Sequence, residues 1–60
     1  MNREELQLAI QEIKLEIYRV KKQIDEVTDS QEEKMLKRKL KELQYLQLWY
    51  LQLLERQDKS

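Results

Sequence analysis

The 60-residue chain contains no cysteine, histidine, glycine or proline. Without cysteine it has no disulfide and no thiolate ligand, and without histidine it lacks the commonest general base and metal ligand. The residues preferred in tight turns are also missing. Because Leu, Ile, Gln, Glu and Lys dominate what remains, and these residues suit helices, the composition predicts an all-α protein.

The charges are balanced, with 12 basic and 12 acidic residues. Net charge therefore gives no general attraction to nucleic acid or to an anionic membrane. The first ten residues lack the basic and then apolar layout of a signal peptide, and no apolar run approaches the ~18–20 residues of a spanning helix. We expect a cytoplasmic protein with no membrane span and no cofactor.

Apolar residues in the first half of the chain recur with alternating spacings of four and three, the pattern of a coiled-coil seam. This first seam consists of Leu6, Ile10, Ile13, Ile17, Val20, Ile24 and Val27. Its register continues onto polar residues, while a second seam begins out of phase. The second seam consists of Leu36, Leu40, Leu43, Gln47, Tyr50 and Leu54. One continuous helix would place the two seams on different faces, so a chain reversal between them is predicted.

Helix starts are marked by two capping boxes, Asn2 with Glu5 and Ser30 with Glu33, and Met1 is placed to form a hydrophobic staple with Leu6. Between the helices, residues 27–30 (VTDS) have the weakest helix propensity. We therefore predict one helical-hairpin domain over residues 1–60. Its helices are placed at about 3–27 and about 31–57, with a turn at 28–30.

Residues 43–54 read LQYLQLWYLQLL, in which nine of twelve side chains are apolar or aromatic and none is charged. A hairpin covers one stripe per helix, so the surplus predicts self-association into a four-helix bundle or a larger helical assembly. The predicted interface consists of Leu46, Trp49, Tyr50, Leu53, Leu54, Tyr45 and Leu48. A second patch, suited to a different protein, consists of Leu8, Leu15 and Tyr18.

Gln47 interrupts the second seam with an amide. A buried amide at such a position fixes register or oligomer order at a cost in stability. The other interpretation is that Gln47 lies at the edge of the seam and reaches water.

The segment KMLKRKLK, residues 34–41, predicts an exposed basic face of Lys34, Lys37, Arg38 and Lys41. The alternative function is accordingly a nucleic-acid-binding hairpin dimer that uses this face, although nearby acids offset its charge. A membrane-surface helix is disfavoured because apolar side chains occur on opposite faces. Acidic residues around the turn lack the Asp/Asn-Gly loop pattern that binds calcium.

Residues 30–34, SQEEK, are similar to the SQELD motif of a family of aspartyl-phosphate phosphatases that are also short helical hairpins. The similarity covers Ser30, Gln31 and Glu32, whereas Glu33 and Lys34 replace the motif's Leu and Asp. With no histidine to activate a nucleophile, the sequence favours a non-enzymatic regulator, inhibitor or adaptor. It would act by binding itself and a second protein.

Overall fold

The computed structural model describes the backbone of residues 2–59 and the side chains of residues 2–57. Two helices, α1 (Arg3–Glu26) and α2 (Ser30–Lys59), pack side by side as a hairpin, and the described residues contain no strand. The Cα trace measures 47 × 14 × 13 Å. A 30-residue helix is about 45 Å long at 1.5 Å per residue, so α2 spans the length of the molecule.

The two predicted seams form the contact between the helices. In α1 the seam residues Leu6, Ile10, Ile13, Ile17 and Val20 are buried and Ile24 is half-buried; Val27, the last residue of the predicted seam, lies just beyond α1 and is also half-buried. In α2 all six predicted seam residues, including Gln47, are half-buried. No side chain of α2 among residues 30–57 is fully buried. The hairpin therefore covers the apolar face of α1 but leaves that of α2 partly open.

The turn is made by residues 27–29 without glycine. Val27 is extended, with φ −75° and ψ 140°, and no described residue has a positive φ. The chain therefore reverses at these residues without a left-handed position of the kind that glycine favours.

Both caps are side-chain oxygens that accept from free backbone N–H groups. Asn2 Oδ1 accepts from Glu5 N at 2.8 Å, as predicted, whereas Met1 of the expected staple lies outside the described residues. The second cap is Asp29, whose Oδ1 accepts from Gln31 N at 3.0 Å. Ser30 is the first helical residue, so its prediction as the cap is wrong by one position. A carboxylate at this position also suits the positive end of the α2 dipole.

Candidate protein-interaction surface

The half of the hairpin away from the turn, here called the free end, carries large exposed apolar side chains on α2. Trp49 is 53% exposed and Tyr45 is 63% exposed, and Leu46 and Leu48 are also exposed. All four belong to the predicted interface. Leu51, which the prediction omitted, is 40% exposed. At ~100° per residue Leu51 lies about 60° from the centre of the second seam. This angle follows from the sequence and would have identified Leu51 as part of the exposed surface.

The other three predicted interface residues, Tyr50, Leu53 and Leu54, are half-buried. Tyr50 and Leu54 belong to the seam that packs on α1, so only part of each remains open. The rings of Tyr50 and Trp49 meet edge to face, with centroids 5.1 Å apart and planes at 64°. Such a contact restrains the exposed indole, because its neighbour is itself anchored in the hairpin.

An ion pair identifies which flank of the hairpin each side chain occupies. Glu16 Oε1 of α1 and Lys39 Nζ of α2 are 3.6 Å apart. Residues seven apart on a helix share a face. Leu46 and Leu53, seven and fourteen residues after Lys39, therefore lie on the same flank, as does Ala9, seven residues before Glu16. This flank is ionic near the middle of the hairpin and apolar at the free end.

Leu51 and Leu48 lie on the opposite side of the α2 seam from Leu46 and Leu53, since helix rotation places Leu51 about 60° and Leu48 about 120° the other way. Tyr45 projects between the two groups, roughly opposite the seam. The free end of α2 is consequently apolar around most of its circumference. One neighbouring helix, α1, covers only the seam side.

The second predicted patch lies on the outer face of α1. Leu8 is 60% exposed, and Leu15 and Tyr18 are similarly open to solvent. Leu8 and Leu15 share a face because they are seven residues apart, and that face points away from the seam. The patch on α1 and the exposed surface of α2 are thus separate surfaces of the hairpin.

The basic face predicted on α2 is exposed, but part of its charge is neutralised within the helix. Lys37 Nζ lies 2.9 Å from Glu33 Oε1, one turn earlier. Lys34, Arg38 and Lys41 are exposed. Lys39, beside this face, contacts Glu16 of α1. The phosphate-binding potential of the segment is reduced accordingly.

A shallow groove near the turn was not predicted from the sequence. It measures about 510 Å³ and is lined by Glu32, Met35, Leu36, Arg38, Lys39 and Glu42. Met35 is 73% exposed at its edge. Its side chain shares the flank of Leu46 and Leu53, since Met35 is one helical turn before Lys39. Charged residues surround Met35, whereas apolar residues surround Trp49, so the two sites differ in character.

Within residues 2–57 no group of three or more acidic side chains is arranged to hold a metal ion. The described part of the chain also has no helix of the length and apolarity that crossing a bilayer requires. No side-chain polar atom in that part is buried without a hydrogen-bond partner. Comparison of the chain with protein-family models, with curated proteins and with solved structures found no significant match.

Proposed function

We propose that this chain is a non-enzymatic protein-interaction module: a self-associating helical hairpin that regulates, inhibits or links a second protein. Its working surface is the exposed apolar free end of α2, with Trp49 as the central anchor. The observation that carries the proposal is the unequal burial of the two helices. Five α1 side chains are buried, whereas α2 has only half-buried seam residues and a ring of exposed apolar ones.

The size of the exposed surface supports a protein partner. Aromatic side chains bury about 150–250 Å² each, so the open parts of Trp49 and Tyr45 amount to roughly 200–300 Å². Leu46, Leu48 and Leu51 enlarge this area toward the ~300–600 Å² of the largest apolar patch on a typical monomer. On a 60-residue chain, such a patch is a large share of the surface.

Self-association supplies the missing cover because a small hairpin is marginally stable alone. The chain has no disulfide to compensate for its small core. In a dimer of hairpins α2 contacts a second helix besides α1, and a helix with a wide apolar face suits that position. The outer patch of Leu8, Leu15 and Tyr18 then remains available to a second protein. Aromatic residues such as Tyr18 are frequent anchors of such contacts.

The direct test compares two substitutions on the same flank of α2, Trp49→Ala at the apolar end and Met35→Ala among charges. Light scattering would give the molar mass of each purified variant over a range of concentrations. We expect Trp49→Ala to weaken assembly by at least about 30-fold, since anchor residues contribute about 2 kcal/mol or more. Met35→Ala, although more exposed, should assemble as the wild type does.

Equal assembly of the two variants would contradict the proposal, because it would show that Trp49 at the free end contributes no more to the interface than Met35. Circular dichroism provides the control, since both variants should keep the helical content of the wild type. A pull-down with the wild-type chain, with Leu15→Glu and Trp49→Ala as comparisons, then tests for a second protein. The variant that loses the partner identifies the surface that binds it.

The nucleic-acid alternative is tested by reversing three basic charges, Lys37→Glu, Arg38→Glu and Lys41→Glu, in one variant. A phosphate-binding protein loses affinity steeply as salt is raised, because it releases condensed counterions. Under our proposal, assembly of the triple variant matches the wild type, and raising salt weakens the assembly of either far less than it weakens phosphate binding. Salt-sensitive binding of RNA or DNA by the wild type, abolished in the triple variant, would favour the alternative function.

A further inference from the structure

The exposed free end of α2 contains a third heptad stripe, distinct from the seam that packs on α1. It consists of Glu42, Leu46, Trp49, Leu53 and Arg56, with spacings of four, three, four and three. Leu53 is half-buried, and the other four side chains are exposed. At ~100° per residue these five positions fall within an arc of about 80°. They form one face on which another helix can pack.

This stripe is apolar in the middle and carries opposite charges at its two ends. Glu42 lies seven residues before Trp49, and Arg56 lies seven residues after it. A second copy of α2 running antiparallel and centred near Trp49 brings Glu42 of each copy to the level of Arg56 of the other. A parallel copy in register instead places Glu42 against Glu42 and Arg56 against Arg56. Charge complementarity therefore selects the antiparallel arrangement.

The apolar residues agree with the same arrangement. In an antiparallel pair centred near Trp49, Leu46 of one copy lies within about one residue of the level of Leu53 of the other. A two-fold axis near Trp49 makes the surface self-complementary, as an isologous dimer requires. Packing the stripe against α1 of a second copy is less favourable, because the matching flank of α1 presents Glu5, Glu12 and Glu16 around Ala9.

We propose that two copies of this chain dimerise through α2, antiparallel and centred near Trp49, with Glu42 of each copy paired with Arg56 of the other. This inference rests on the proposed self-association and specifies its geometry. The two copies of α1 lie on the outside of the dimer. Leu8 and Leu15, on the outer face of α1, stay exposed in both copies.

The test exchanges charges between copies. The variants Glu42→Arg and Arg56→Glu each place like charges together at both ends of their own homodimer. A mixture of the two variants forms a heterodimer in which both ends are complementary again. Sedimentation velocity would measure the dissociation constants of each variant, of their mixture and of the wild type. Arg and Glu have similar helix propensities and both positions are exposed, so the hairpin itself is little affected.

We expect each single variant to dimerise about 5–30-fold more weakly than the wild type, because two exposed ion pairs become repulsive. The mixture should recover nearly all of the lost affinity. A matched control pair, Asp25→Arg and Lys22→Glu, makes the same changes in net charge at exposed positions of α1. Mixing the control variants should give no comparable gain, since their positions lie far from the stripe.

Two results would overturn the proposed geometry: a mixture no tighter than its components, or an equal gain with the control pair. If the wild type still assembles and Trp49→Ala still disrupts it, the proposed function survives and only the antiparallel geometry fails. A wild-type chain that stays monomeric would remove both the geometry and the self-association on which it rests. Recovery confined to the Glu42→Arg and Arg56→Glu mixture supports the antiparallel dimer.

Discussion

Glu16 of α1 and Lys39 of α2 form an ion pair across the hairpin, with Oε1 and Nζ 3.6 Å apart. Glu16 stands twelve residues before Thr28, in the middle of the turn, and Lys39 stands eleven residues after it. Because both helices rise by 1.5 Å per residue, the two side chains are nearly level. The pair therefore reports the register of the hairpin and marks the flank that becomes apolar toward Trp49.

The energetic contribution of this pair should be small. Glu16 is also 3.6 Å from Arg19 Nη1, and the side chains of Glu16 and Lys39 are 38% and 55% exposed. We expect a double-mutant cycle of Glu16→Gln and Lys39→Gln, measured by urea unfolding at fixed protein concentration, to give a coupling below about 1 kcal/mol. In 1 M salt the coupling should nearly vanish. A coupling above about 2 kcal/mol that survives salt would contradict the exposed character of the contact.

Two leucines that are two residues apart should differ greatly in how much their replacement by Ala lowers the stability of the hairpin, because only one of them lies in the core. Leu6 is 1% exposed in the seam, whereas Leu8 is 60% exposed on the outer face of α1. Replacing Leu6 with Ala should lower the free energy of unfolding by about 2–5 kcal/mol, enough to unfold a marginal hairpin. Leu8→Ala should change it by less than about 0.5 kcal/mol. Urea titration followed by circular dichroism measures both, and equal effects would contradict the placement of the seam.

The start of α2 provides a test of the observed cap. Asp29→Ala should destabilise the chain by about 1 kcal/mol, because it removes the oxygen that accepts from Gln31 N. Ser30→Ala, at the residue that the sequence pattern favoured, should have little effect because Ser30 is already helical. Thermal unfolding of the two variants compares them directly. A larger effect at Ser30 than at Asp29 would place the cap at the predicted position instead.

The heptad spacing predicted the two helices and both seams because a strict alternation of four and three leaves one apolar face per helix. The position of the second cap was missed by one residue, since Asp29 and Ser30 are both good capping residues and the spacing to Glu33 favoured Ser30. The turn without glycine was also harder to predict. The turn includes Val27 in an extended conformation, and no short sequence motif predicts that conformation at this position.

The exposed residues at the free end were predictable as a group, since more apolar positions occur there than two packed helices can cover. Which of them lie on which flank of the hairpin could not be predicted, because that assignment requires the contact between Glu16 and Lys39 as a reference. The unequal burial of the two helices also needed the structure. Spacing alone treats Leu6 and Leu54 as equivalent seam residues, although Leu6 is buried and Leu54 is half-buried.

The strongest test of self-association is the molar mass of the wild-type chain in solution. Sedimentation equilibrium over a concentration series would determine whether the 7.5 kDa chain assembles. We predict a dimer or larger multiple at micromolar concentrations, with dissociation on dilution, since the exposed side chains around Trp49 need a second copy to cover them. A chain that is fully helical by circular dichroism, yet remains at 7.5 kDa at about 100 μM, roughly a hundredfold above a dissociation constant of 1 μM, would contradict self-association.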